Sequence, residues 1–472
     1  MLSNFLIDQI RTFFPHEPTE DQSEALTKLS AFMMNPAGDG LFLLKGYAGT
    51  GKSSLVGAFV KALTSLQQKT VLLAPTGRAA KVFSSYSEHA AFTIHKKIYR
   101  QKKFSHENVG FALTVNLHKH TLFIVDEASM ISNGGFEATV FGSGHLLDDL
   151  IEYVYTGEGC RLLLLGDSAQ LPPVGESISP AFDVNVLNGY GLNVDTHTLT
   201  QVIRQQLSSG ILKNATDIRT LITERNTGLY PKIQLNDFAD IVQLRGDELI
   251  EAISSAYDRS GIEETIVISR SNKRSGIYNN GIRNSILYRE EELSSGDLLM
   301  VVKNNYYWSE TYPEIDFIAN GDIAVIKRVH RYEELYGFRF ADVCVFLPDY
   351  DLEMDVKIIL DTLRSETPSL SKEETSRLFY AVLEDYADLP RKADRMRSVK
   401  QNPHYNCLQV KYGYAITCHK AQGGQWKNVF LDMGYIAQEH LGIDFYRWLY
   451  TAFTRAVEKL YLINLSEEMV VK

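Results

Sequence analysis

The stretch GYAGTGKSS, Gly46 to Ser54, follows the apolar run Leu41–Leu44 and precedes the apolar residues Leu55–Val60. It matches G-x-x-x-x-G-K-[ST] at every position, the spacing of a loop that wraps phosphates. Gly46, Gly49 and Gly51 free the backbone for turns in which successive N–H groups converge on an anion, with Ala48 and Thr50 between them. Lys52 is placed to reach the β- and γ-phosphates, Ser53 offers a hydroxyl to Mg²⁺, and Ser54 continues into a helix whose positive N-terminus faces the same phosphates. Two further stretches carry matching chemistry. In FIVDEASM, Asp126 and Glu127 end an apolar strand, where one acid can hold Mg²⁺ through water and the other can polarise an attacking water. In LLLLGDSAQLPPVG, Gln170 supplies a neutral amide that can position the lytic water, and Pro172 and Pro173 stiffen the exit. ATP and Mg²⁺ are therefore the expected cofactors, and hydrolysis is expected rather than binding alone.

Such residues need rigid elements to bring them together. LFLLKG, TVLLAP, TLFIVDE and RLLLLGD each end in a polar or Gly/Pro turn, as buried parallel strands do. Ligands are expected at their carboxyl ends, and the P-loop strand is expected beside the strand of Asp126. A second series follows in TIVISRSN, DLLMVVKN, YGYAITCHKAQG, VFLDMG and LYLIN. The pattern predicts an α/β protein of two P-loop-type lobes with parallel sheets. Residues 1–210 form the first lobe, with a hairpin at about 100–120, and residues 211–328 and 407–472 form the second. Residues 329–406 begin strand-like and end in a charged helical stretch, which predicts a small inserted β-barrel with a helical extension.

The bulk numbers agree with a soluble globular chain. Of its 472 residues 44% are hydrophobic and 22% charged, and no apolar run is long enough to cross a bilayer. MLSNFLIDQIRTFF reads as an amphipathic helix rather than a signal peptide. Cys160, Cys344, Cys407 and Cys418 lack metal-ligand spacing and read as reduced thiols, which predicts a cytoplasmic protein with no membrane partner. The net charge of −10 does not exclude a nucleic-acid partner, because affinity for phosphate backbones depends on local basic grooves.

Taken in order, these segments resemble superfamily 1 DNA helicases, specifically the 5′-to-3′ branch of RecD-like, Pif-type and phage Dda-like enzymes. PTEDQSEAL resembles the Q motif, LLAPTGRAAK motif Ia, AFTIHKKI motif Ib, LTQVIRQ motif IV, YAITCHKAQGGQW motif V and LYTAFTRAVEKLYL motif VI. The resemblance implies two RecA-like lobes and an SH3-like barrel. It gives Gln22 an adenine-reading role, Arg204 a γ-phosphate contact and Arg455 the role of arginine finger. Many relatives carry a ribose-contacting glutamate after the Gln-Gly of motif V, whereas Gly424 and Gln425 stand here, with Gly424 on the nucleotide side.

The resemblance also implies a DNA path along motifs Ia, Ib and V. Thr76, Arg78, Lys81, Thr93, His95, Thr417, His419 and Lys420 lie there, on polar and basic turns suited to backbone phosphates. RQKKFSHENVGFALTVNLHKH, Arg100 to His120, has a hairpin look, and relatives hold a duplex-splitting pin at this place. Phe104 and Phe111 are its large aromatics and the candidate wedge. The aromatic run Tyr306, Tyr307 and Trp308 reads either as base-stacking or as barrel packing. The implied activity is ATP-driven 5′-to-3′ translocation and unwinding by a monomer on single-stranded DNA and at a DNA fork, in replication, recombination or repair. An RNA helicase or a protein-displacing translocase shares the same ATPase motifs. A non-motor P-loop switch would need neither motif V nor a second-lobe arginine.

Overall fold

The computed structural model describes residues 2–35, 37–101, 111–134, 141–203, 208–312, 315 and 317–471. The first half forms the strands β1 (Gly40–Gly46), β2 (Thr70–Ala74), β3 (Ala91–Thr93), β4 (Tyr99–Gln101), β5 (Phe111–Leu113), β6 (Leu122–Val125), β7 (Arg161–Gly166) and β8 (Asn193–Leu199). Six of them build one parallel sheet in the order β3-β2-β6-β7-β1-β8. Helices cover both faces, so the strands are apolar along their length and Phe42, Leu43, Leu163 and Leu164 are fully buried. The remaining two, β4 and β5, form a separate antiparallel pair. One expectation is corrected here. The strand of Asp126, β6, does not adjoin the P-loop strand β1, because β7 pairs with both. The strand ending in Asp167 is therefore the central one of the three.

The second lobe contains β9 (Ile241–Leu244) and β10 (Thr265–Ser269), then, after the barrel, β16 (Ala415–Thr417), β17 (Trp426–Asp432) and β18 (Ala456–Ile463). They make a second parallel sheet in the order β16-β10-β17-β18-β9. Both lobes thus have the doubly wound parallel architecture of RecA-like domains, with their loops at the carboxyl ends of the strands.

Between β10 and β16 the strands β11 (Leu298–Val301), β12 (Ile323–Leu335), β13 (Phe338–Leu347), β14 (Leu352–Ile359) and β15 (Leu408–Tyr412) close into a five-stranded barrel. Its span corrects the expected 329–406. The run DLLMVVKN, assigned by its pattern to the second lobe, is barrel strand β11, and β12 starts six residues before Val329. A four-residue run buried on both faces reads alike in a barrel and in a parallel sheet, so periodicity alone did not separate them. The helical extension, Lys372–Glu384 and Lys392–Lys400, lies between β14 and β15.

A buried carboxylate fastens barrel to lobe. Asp297, just ahead of β11, accepts from Arg283 Nε and Nη2 at 3.0 Å each, from Arg289 Nη1 at 2.7 Å, from Ser294 N at 2.7 Å and from the Tyr414 hydroxyl at 2.9 Å. Burial alone would raise its pKa, yet the bonds from Arg283, Ser294 and Arg289 hold it below the ordinary carboxylate value. Its stabilising contribution is therefore complete above about pH 4, the unfolded aspartate value, and fades as pH falls through the depressed folded one. Replacing Asp297 by Ala leaves Arg283 buried without its partner and should cost roughly 3–5 kcal/mol at pH 7. Denaturant melts of the two proteins should show that gap at pH 7 and a narrowing gap in acid.

Candidate nucleotide site and strand cleft

The P-loop lies between β1 and the helix Lys52–Ser65, with Gly49 and Gly51 in the left-handed region at φ 75° and 73°. A Cβ on Gly51 would also stand 2.4 Å from Gln22 Nε2 and 2.6 Å from Ile203 Cδ1, so only glycine fits. Gln22 braces the loop, donating from Nε2 to the Thr50 carbonyl at 2.9 Å, while its Oε1 accepts from Thr19 N at 3.0 Å. The expected adenine reader is thus buried, with both amide atoms engaged by the protein. Ser53 is exposed and Ser54 half-buried in the first turn of the helix.

Lys52 Nζ reaches to 3.9 Å from Asp126 Oδ1. Asp126 is oriented by the Tyr86 hydroxyl, which donates to Oδ2 at 2.6 Å, and by Glu127 N, which donates to Oδ1 at 2.8 Å. Glu127 itself holds a left-handed backbone, φ 52°, and burial raises its carboxyl pKa against the pull of Lys52 and Arg455. Its Oε2 is buried without a hydrogen-bond partner, as is the Oε1 of Gln170. Two unsatisfied oxygens beside a lysine and an exposed serine hydroxyl mark a polar site arranged for a ligand rather than for packing.

The second lobe reaches into this site. Arg455 follows the helix Ile443–Phe453 and is buried, with Nε on the Thr451 carbonyl at 3.0 Å, Nη1 on the Gly424 carbonyl at 3.0 Å and Nη2 on Thr454 Oγ1 at 3.1 Å. Its charge acts on both Glu127 and Asp167. Gly424 serves here as a brace for Arg455. A Cβ on it would lie 2.6 Å from the Trp426 ring and 2.8 Å from Arg78 Cδ, so the position faces protein and not a ribose. Arg204 lies outside the described residues.

A cleft of about 480 Å³ separates the lobes and the barrel-side loop. Thr76, Thr93, His95, His419 and Lys420 all line it. Thr76 and Thr93 cap the helices that start there, accepting from Ala79 N and Lys96 N at 3.2 Å each. Thr417 sits at the start of the short helix Cys418–Ala421 without a capping bond. Burial depresses the His419 pKa, takes Lys420 down to about 8, and holds His95 at about 4, so His95 is neutral at physiological pH. Lys420 donates to Asn320 Oδ1.

Two expected DNA contacts, Arg78 and Phe111, are instead packed within the protein, and the third, Lys81, keeps an exposed side chain. Arg78 lies 4.0 Å over the Trp426 ring, and burial lowers its pKa, so it cements the two lobes. Lys81 pairs with Asp349 of the barrel at 3.2 Å. Phe111 is 5% exposed, with ring centroids 4.9 Å from Phe141 and 5.0 Å from Tyr306, in the first lobe's core. It cannot also be a solvent-facing wedge tip. Phe104 and the hairpin tip, 102–110, lie outside the described residues, although the paired bases of the hairpin, β4 and β5, are present. Tyr306 takes the packing role of its aromatic run, and Trp308 Nε1 donates to the Asn406 carbonyl at 2.9 Å.

Comparison with known proteins adds family to geometry. The family described as AAA domain matches residues 18–230, and the UvrD-like helicase C-terminal domain matches residues 412–463, the segment that carries motif V and Arg455. These two matches support a superfamily 1 helicase of the Pif, RecD and Dda type. An uncharacterized protein of Acanthamoeba polyphaga mimivirus is 24% identical over 89% of this chain and 94% of its own length. The ATP-dependent RecD2 DNA helicase of Deinococcus radiodurans is 31% identical over 42% of this chain, and the ATP-dependent DNA helicase Dda of Enterobacteria phage T4 is 26% identical over 55%. The chain spans 23% of the length of RecD2 and 55% of that of Dda.

The packing of Phe111 fixes what its removal should do. Phe111→Ala should lower the stability of the protein by about 3–5 kcal/mol, as for other buried phenylalanines. Thermal melts check this, and an unchanged midpoint would return Phe111 to the surface.

Proposed function

We propose that this chain is an ATP-dependent DNA helicase that moves 5′ to 3′ on single-stranded DNA and separates duplex as it advances. One observation carries the reading. Arg455 of the second lobe meets the acids of the first, while the cleft above is lined by Thr76 and Thr93 from one lobe and His419 and Lys420 from the other. Any change in the gap between the lobes therefore acts on hydrolysis and on the strand path together.

In this reading the P-loop N–H groups and Lys52 hold the triphosphate, and Ser53 with Asp126 would hold Mg²⁺. Their hard oxygen donors suit that ion, which would offset charge on the phosphates. Glu127, its Oε2 unpaired, accepts hydrogen from the attacking water, and Gln170 orients that water from the central strand. Arg455 stabilises charge gathering on the transferred phosphoryl group. Arg204 is a candidate for a second γ-phosphate contact. Once that group leaves, Arg455 loses its partner and the lobes separate, shifting the strand across the cleft. The hydroxyl and imidazole lining contacts backbone rather than base edges, which suits movement independent of sequence. We place the chain in the cytoplasm, supported by four free cysteine thiols, and treat it as active as a monomer in replication, recombination or repair.

The decisive assay uses matched forks with only a 5′ or only a 3′ single-stranded tail. Unwinding should require the 5′ tail and ATP, and single-stranded DNA should stimulate hydrolysis more than RNA of the same length. Unwinding from the 3′ tail alone would overturn the polarity, and stronger stimulation by RNA would favour an RNA helicase. Lys52→Ala should abolish hydrolysis and retain strand binding. In Arg455→Ala, turnover should fall by roughly 10³-fold or more while ATP affinity changes little, because the finger acts in the transition state. Normal turnover with collapsed ATP affinity would make Arg455 a ground-state ligand instead.

A further inference from the structure

A tyrosine of the second lobe makes two bonds inside the first. The Tyr450 hydroxyl accepts from the backbone N–H of Ala48, in the P-loop, at 2.9 Å. It donates to Asp167 Oδ2, at the end of central strand β7, at 2.6 Å. Asp167 in turn takes Ala169 N on its other oxygen at 2.9 Å. The next residue, Thr451, accepts from Leu171 N at 2.9 Å, and Gln422 Nε2 donates to the Leu171 carbonyl at 2.7 Å. The second lobe therefore holds the backbone just after Gln170, at Leu171, and the Asp167 side chain just before it, while Gln170 Oε1 is left without a partner.

We infer that Tyr450 is a positioning residue for hydrolysis, setting the loop of Gln170 in register with the P-loop whenever the lobes close. The inference rests on the ATPase reading above. Tyr450 and Arg455 flank one helix end, so a single movement of that helix delivers both. The finger supplies charge, and the phenol aligns the two lobe-1 loops between which the attacking water must sit. Tyr450 is suited to the task because burial, and then Asp167, raise its pKa well above the ordinary value. It stays a neutral phenol, able to donate and accept at once. Its ring is 1% exposed, so the hydroxyl can be removed without uncovering a surface. Touching neither phosphate nor water, it acts through Gln170 and the P-loop.

The test is steady-state ATP hydrolysis by the full chain with saturating single-stranded DNA. Tyr450→Phe keeps the ring and removes the bridge. Its kcat should fall roughly 10- to 100-fold, the rate equivalent of one hydrogen bond to a charged group, with the KM for ATP nearly unchanged. A merely structural role would move the melting midpoint and leave this split absent. Asp167→Ala cuts the bridge from the other side, and the double variant should lose little more than Asp167→Ala alone. An unchanged kcat in Tyr450→Phe, a loss confined to KM, or fully additive losses would each overturn the inference. A wild-type chain that hydrolyses no ATP would refute the ATPase reading itself. A wild type that hydrolyses ATP beside an equally active Tyr450→Phe would refute the role of Tyr450 alone.

Discussion

Two carboxylates, the half-buried Glu127 and the buried Asp167, share one small volume with two cations, Lys52 and Arg455. Holding a carboxylate out of water costs several kcal/mol unless opposite charge stands near. One of these cations comes from each lobe, so full compensation exists only when the lobes meet. The strand order places the ends of β1, β7 and β6 side by side, which brings the lysine, the central aspartate and the paired acids to one edge of one sheet. The helix Ile443–Phe453 then has one geometric duty, to carry its end to that edge.

The sequence was most legible where a single local pattern determines the outcome. The P-loop spacing, the apolar runs of both sheets and the two-residue acid pair follow from glycine conformation, burial and strand ends, all of which are local. Legibility failed where a side chain's partner comes from distant chain. Arg78 stands on a polar turn as a strand-binding residue would, yet Trp426 claims it. Phe111 lies in a hairpin, but its neighbours Phe141 and Tyr306 come from other segments. Tyr450 was missed for the same reason, deepened by its setting. It sits among apolar residues in DFYRWLYTAF, where a buried phenol reads as core. Its polar neighbours, Ala48 N and Asp167, lie some four hundred and three hundred residues upstream.

The strand cleft is chemically mild. Its threonines are occupied as helix caps, His95 is neutral, and Lys420, at about 8, is less firmly charged than an exposed lysine. Strong cations were expected there, and the strongest, Arg78, is withdrawn between the lobes. In the proposed helicase, weak and evenly spread contacts would suit a surface that lets go of its strand at each step, because each phosphate ion pair removed also lowers the cost of release.

The barrel is set into the second lobe as expected, and its wiring ties it closely to that lobe. Strand β15 closes the barrel, and after Gly413 and Tyr414 the same chain becomes β16, the edge of the second lobe's sheet. Tyr414, in that short link, also bonds the buried Asp297 that precedes β11. Splicing out 329–406 would sever β12 partway and remove β13 and β14, leaving β15, β11 and the stub of β12 as an open sheet with bare edges, prone to pairing between molecules. A domain swap or a shortened version of this protein must therefore cut on the lobe side of Asp297 and Tyr414, or take the second lobe with it.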